Sequence, residues 1–154
     1  MKETEADFFQ MIFEQKVKLI VQVNQLKEGI DNFLVQYPDQ NGKTINDKFV
    51  LERVNCFNFD SDTKKFKNLV YNLIVMNKNE RNLGNNEPFS FSCFRLVPRE
   101  GFKTLIDYRI VFHLHYKNWE DHRGARLEEV LELAKFINNF STEMHYPQIV
   151  IHCK

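Results

Sequence analysis

Glycine and proline are scarce, five and four residues in a chain of 154. The strands and helices should therefore be joined by loops rich in Asn, Asp and Lys instead. Cysteine is scarcer still. Cys56, Cys93 and Cys153 are odd in number and far apart, which fits neither a disulfide framework nor the close ligand pairs of a zinc module, so reduced thiols are expected. No excess of either charge exists: 21 Lys and Arg balance 21 Asp and Glu, leaving no global field to draw nucleic acid or anionic lipid. No apolar run is long enough to span a bilayer, and Met1-Lys2-Glu3-Thr4-Glu5 lacks the basic then apolar pattern of a signal peptide, so neither membrane nor nucleic acid is expected as a partner and a cytoplasmic location is. Tryptophan occurs once, yet Phe occurs 15 times and 43% of residues are hydrophobic, which is ample for one core. There is no internal repeat and no composition break, so residues 1–154 are read as a single domain.

Asp7 and Gln10 have the spacing of a capping box, and Phe8, Phe9, Ile12 and Phe13 recur at helical spacing, predicting a short amphipathic helix from Asp7. Val17 to Val23 is β-branched and alternating, a largely buried strand. Gly29 opens a loop, and Asp39-Gln40-Asn41-Gly42 is a turn signal. The stretches from Phe49 to Phe59 and from Leu69 to Val75 read as two antiparallel strands joined around Asp60-Ser61-Asp62. The Asn-rich segment from Asn77 to Glu87 reads as a long exposed loop. Phe89, Phe91 and Cys93 resume strand alternation.

The clearest strand follows. Tyr108, Ile110, Phe112, Leu114 and Tyr116 alternate with Arg109, Val111, His113, His115 and Lys117, giving one apolar and one mixed face. Leu127, Val130, Leu131, Ala134 and Ile137 then mark the expected core face of a helix, with Glu128, Glu129, Glu132 and Lys135 elsewhere on its surface. Ile149-Val150-Ile151 reads as a strand covered on both faces. A strand, helix, strand succession predicts parallel strands. The loop holding Trp119-Glu120-Asp121 and the thiol of Cys153 should then share the carboxyl edge of the sheet, where open α/β sheets bind ligands. The fold class expected is α/β, a twisted mixed β-sheet flanked by helices.

Asp7-Phe8-Phe9-Gln10-Met11-Ile12-Phe13-Glu14 followed by Val17-Lys18-Leu19-Ile20-Val21 resembles the "DFWxMIWE…VxxIVM" segment of protein tyrosine phosphatases. Glu28-Gly29 and Tyr37-Pro38 resemble the next landmark, Trp119-Glu120-Asp121-His122 the "WPDH" loop, and Ile149-Val150-Ile151-His152-Cys153 the strand entering "HCSAGxGRTG". The resemblance runs from about Asp7 to the end and covers the middle of such a domain. It implies that Cys153 holds the nucleophile position, whose thiolate attacks phosphotyrosine. It places Asp121 at the general acid, and Trp119, His122 and His152 at family motif positions. No cofactor and no metal are implied, and the implied partner is a phosphoprotein or another signalling protein.

Departures from the pattern set the expected activity. Lys154 stands where the family has Ser, and the Gly-rich loop, its amides and its arginine would follow that position, so the resemblance implies a truncated, catalytically inert domain. Removing one oxyanion donor alone slows such chemistry about a hundredfold or more. Glu120 replaces the loop proline, and Phe33 and a missing Trp near Tyr37 depart further. Composition resembles the phosphatase-like proteins of polydnaviruses, which implies interference with immune signalling in a host-cell cytoplasm. Three outcomes stay open: a binding protein, an enzyme completed in trans by another chain, and a remnant. An uncovered face on the last strand would favour self-association. Read without the family, Cys153 is a plain thiol and Asp121 a solvated carboxylate, while His113, His115 and His152 could converge on a metal.

Overall fold

The computed structural model describes residues 2–25, 37, 43–45, 48–54, 64–72, 88–99, 108–120 and 123–153. Gly29, the turn at Asp39 to Gly42, Cys56, the loop from Asn77 to Glu87, Asp121, His122 and Lys154 lie outside the described residues. Helix α1 spans Lys2–Glu14, strand β1 Leu19–Val23, β2 Lys43–Ile45, β3 Phe49–Val54, β4 Phe89–Pro98, β5 Arg109–Tyr116, and β6 Ile149–His152. Residues 64–72 form helix α2, and α3 spans Leu127–Glu143. The six strands among the described residues join one sheet in the order β2-β3-β4-β5-β1-β6. The β1 strand runs parallel to β5 and β6, whereas the β2-β3, β3-β4 and β4-β5 pairs are antiparallel. The sheet is therefore mixed and helix-flanked, as the hydrophobic pattern predicts.

Each face of the sheet has its own core. On one face, Ala6, Phe9, Ile12 and Phe13 of α1 pack with Val17, Ile20, Phe49, Leu51, Phe94, Leu96 and Val111. On the other, Phe66 of α2 and Leu133, Phe136 and Phe140 of α3 meet Leu19, Val21, Phe112, Leu114 and Tyr116. Two covered faces explain why β5 is buried from Val111 through Tyr116 on both sides, including His113 and His115. A sheet clad by helices on both sides buries polar residues only where they find partners.

Four expectations are corrected. Asp7 does not cap α1, which begins at Lys2 and places Asp7 on its exposed side, because Ala6, Phe9, Ile12 and Phe13 already form a complete inward stripe. The expected strand from Leu69 is helical through residue 72, since Phe66, Leu69 and Val70 fall at i, i+3 and i+4 and Tyr71 points outward at 67% exposure. The buried face of α3 is Glu129, Glu132, Leu133, Phe136 and Phe140, while Leu127 and Leu131 are exposed at 69% and 50%. Finally β6 is an edge strand, half-covered, with Ile151 exposed. Its parallel neighbour is β1, inserted between β5 and β6.

The α3 register has a direct check. Leu131→Ser should leave stability within about 0.5 kcal/mol, whereas Leu133→Ala should lower it by about 2–5 kcal/mol. Equal losses in urea denaturation would return the helix to the face on which Leu127 and Leu131 point inward.

Candidate active site

Strand register brings the ends of three strands to one edge. Val23 lies opposite Tyr116 and Gln22 opposite His152, so β5, β1 and β6 end together. Cys153, an exposed free thiol, follows β6 directly. The loop carrying Trp119 and Glu120 follows β5. Because β1 stands between, the two exits are separated by about two strand spacings, roughly 10 Å. Crossing β1 is what lets a loop and a thiol from non-adjacent strands face a common space above the sheet edge.

The loop after β5 is fastened at its start. Asn24 N donates to Tyr116 O at 3.2 Å, and Gln25 N donates to Trp119 O at 3.0 Å, tying the end of β1 to the loop. The Tyr116 ring is fully buried, 5.1 Å from Phe89 and edge-on to Trp119 at 6.4 Å. Its hydroxyl donates to Glu129 Oε2 at 2.5 Å, and Asn118 Nδ2 lies 3.4 Å from both Glu129 oxygens. Across the loop, Glu120 and Gly124 form an antiparallel bridge. Gly124 adopts φ +78°, a region that a side chain would disfavour. Glu120 and Arg123 form a loose, exposed ion pair at 3.8 Å. Gln25, Asn118, Glu120, Arg123, Gly124, Ala125 and Arg126 line an open pocket of about 410 Å³ beside this turn.

Two buried imidazoles, His113 and His115, lie on β5, and a half-buried one, His152, on β6. His113 Nε2 donates to Gln22 Oε1 at 3.1 Å, and His115 Nε2 donates to Asn24, whose backbone and side-chain oxygens lie at 2.9 and 3.0 Å. His152 Nε2 and the Tyr37 hydroxyl share a hydrogen bond of 3.0 Å. The Tyr37 ring stacks on His113 at 4.0 Å, and Phe8 meets His152 edge-on at 5.3 Å. Burial, reinforced by His115, His152 and Arg53, pushes His113 down to about 3. His115 is lowered chiefly by burial against an opposing hydrogen bond to Asn24, and His152 chiefly by burial, with His115 adding to it. Burial, with the charge of Glu5, pushes Tyr37 above its usual value. Burial thus works against the charged form of all three imidazoles. Each turns its Nε2 to a different partner, and among the described residues no three His, Cys, Asp or Glu side chains are grouped to hold a metal ion.

Of the residues singled out in the sequence, Trp119, His152 and Cys153 thus come to the same sheet edge, Trp119 at 37% exposure and against Tyr116. Asp121 and His122 lie outside the described residues. Sequence reasoning missed Tyr37 as the partner of His152, 115 residues away, and missed Glu129 as a buried group. No local pattern marks the first. The second was signalled by Glu129 lying one turn before Leu133 on the aromatic stripe of α3.

The sequence matches the protein-tyrosine phosphatase family over residues 1–154. Receptor-type tyrosine-protein phosphatase C of Homo sapiens is 45% identical over 47 residues, 30% of this chain and 4% of that protein. Its Mus musculus counterpart is 28% identical over 154 residues, 98% of this chain and 10% of that protein. A solved structure titled "Structural basis of PTPN18 fingerprint on distinct HER2 tyrosine phosphorylation sites" superposes on 99% of this chain and 44% of its own, with a TM-score of 0.63 at 13% identity, a likeness of fold. The chain spans a tenth or less of those curated relatives and under half of that solved chain. With the family matched over residues 1–154, this chain belongs to the protein-tyrosine phosphatase family.

Proposed function

We propose that these 154 residues form a tyrosine-phosphatase-like domain that acts by binding a phosphotyrosine-signalling protein and does not by itself hydrolyse phosphotyrosine. The observation that carries this reading is the setting of Cys153. Its thiol is exposed at the tip of an edge strand, and burial disfavours the charged form of the imidazoles on that strand and on β5, His152, His113 and His115. A reactive thiolate is normally stabilised by an adjacent imidazolium, guanidinium or ring of amides, and these imidazoles do not offer that charge. On the facing loop Glu120 occupies the family's proline position, adding a carboxyl group beside the general-acid position, Asp121. Hydrolysis of para-nitrophenyl phosphate by the purified 154-residue chain is expected to match Cys153→Ser. A rate above that blank, and lost in Cys153→Ser, would overturn the reading.

A second reading, completion of the site by another chain, is favoured by the exposed Ile151 on the edge strand and by the exposed Leu127 and Leu131 on α3. Under it, hydrolysis would be absent from the purified chain and recovered on mixing with the completing chain. The setting proposed for either role is the cytoplasm, with interference in host immune signalling as the task that the polydnavirus resemblance supports. Among the described residues no helix is long and apolar enough to cross a membrane.

A further inference from the structure

We propose that Glu129 is a positioning residue whose buried carboxyl group clasps the two ends of the loop between β5 and α3, fixing Trp119 and the path by which the chain leaves β5. The loop departs after Tyr116, the last residue of β5, and ends at Leu127, the first of α3. Glu129 stands in the first turn of α3 at 0% exposure. It nevertheless accepts from the residue that precedes the loop, Tyr116, and lies against Asn118 inside it. One side chain therefore spans the loop's departure and its return.

The chemistry makes this contact directional. An acceptor buried without donors is unfavourable by more than a typical hydrogen bond contributes, so the carboxyl group holds its donors in place as firmly as they hold it. An apolar residue at position 129 would fill the space but would fix neither donor. Tyr116 transmits the restraint, since its buried ring is the surface that Trp119 meets edge-on at 6.4 Å. The backbone bond from Gln25 N to Trp119 O supplies the second anchor on the same indole-bearing residue. Glu132, also buried on α3, differs: it pairs with Lys135 at 3.5 Å on its own helix and is a natural control.

The inference rests on loop geometry and holds whether or not the chain hydrolyses phosphotyrosine. Trp119 is the sole tryptophan of the 154 residues, so its fluorescence reports the loop without labelling. Acrylamide quenching is to be compared in the full chain and in Tyr116→Phe, Asn118→Ala, Glu129→Gln and Glu132→Gln, with circular dichroism as the folding check. Tyr116→Phe removes only the hydroxyl and should raise the quenching constant about twofold, as expected of a locally released segment. Asn118→Ala, at an exposed position, should move it in the same direction without threatening the core. Glu129→Gln retains a carbonyl acceptor for Tyr116 and should stay near the unmodified protein, and Glu132→Gln should do the same. Unchanged quenching in both Tyr116→Phe and Asn118→Ala would overturn the proposal, as would an equal rise in Glu132→Gln. Should Tyr116→Phe fail to fold, Asn118→Ala alone decides.

Discussion

Between pH 7.5 and pH 5 the protein is expected to lose about 2 kcal/mol of stability through His113 alone, since that is the linkage for a group falling from an ordinary value near 6.5 to about 3 on folding. The sign follows from proton counts. Below pH 6.5 an unfolded chain binds a proton at His113 that the folded chain refuses, so stability is fully present above pH 6.5 and is lost progressively as pH falls toward 3. His115 and His152 are lowered too and act in the same direction. The structural cause is that His113 is 5% exposed, stacked under Tyr37, tilted against Phe94 at 5.7 Å and committed through Nε2 to Gln22. A second proton would place charge beside His115, His152 and Arg53 with burial already against it. Urea denaturation at pH 7.5, 6.5, 5.5 and 5.0 measures the slope. His113→Gln should lower stability at pH 7.5 yet flatten the pH dependence, and a variant with the full slope would remove His113 as its source.

The same cluster shows what a sequence conveys about such a site and what it withholds. Alternation along β5 put His113 and His115 on one face together, because a strand's period of two is a local property. Whether that face meets water or a helix depends on α1, which lies about a hundred residues earlier. Only the fold shows that the mixed face is buried beneath Phe9, Phe13 and Tyr37. Local spacing likewise identified α3 but marked Leu127, Val130, Leu131, Ala134 and Ile137 as its core stripe. The structure selects Leu133, Phe136 and Phe140, whose large side chains reach the sheet and whose stripe continues to Met144, while Glu129 and Glu132 are carried inward in line with them. Motif spacing located the strand ends correctly because the position of a landmark on a parallel strand fixes its sheet edge. The partners that set orientation there, Tyr37 for His152 and Glu129 for Tyr116, arrive from elsewhere in the chain, and nothing in the local pattern pairs them.

Phe66→Ala is expected to lower stability by about 3–5 kcal/mol, a large share of the roughly 5–15 kcal/mol typical of a domain. Phe66 is 2% exposed and joins the second core at its centre. Its ring stacks on Phe112 at 4.2 Å and meets Phe136 and Phe140 edge-on at 6.2 and 6.1 Å, with Phe91 at 6.3 Å. Such offset and edge contacts add to the area that the ring removes from water, and truncation leaves a cavity between helix and sheet. Tyr71→Ser, on the outer side of the same helix, should stay within about 0.5 kcal/mol. The pair separates helix from strand at this segment: in a strand running on from Leu69, Tyr71 would share the face of Leu69 and its loss would be felt, whereas in a helix Phe66, Leu69 and Val70 point together and Tyr71 does not. Thermal denaturation of the two variants decides it, and a loss at Tyr71 comparable with that at Phe66 would mean that the strand reading was right. Because Phe112 lies on β5, the ring of Phe66 presses on the strand whose end leads into the Trp119 loop, so the aromatic face of α2 helps hold that part of the candidate site in place.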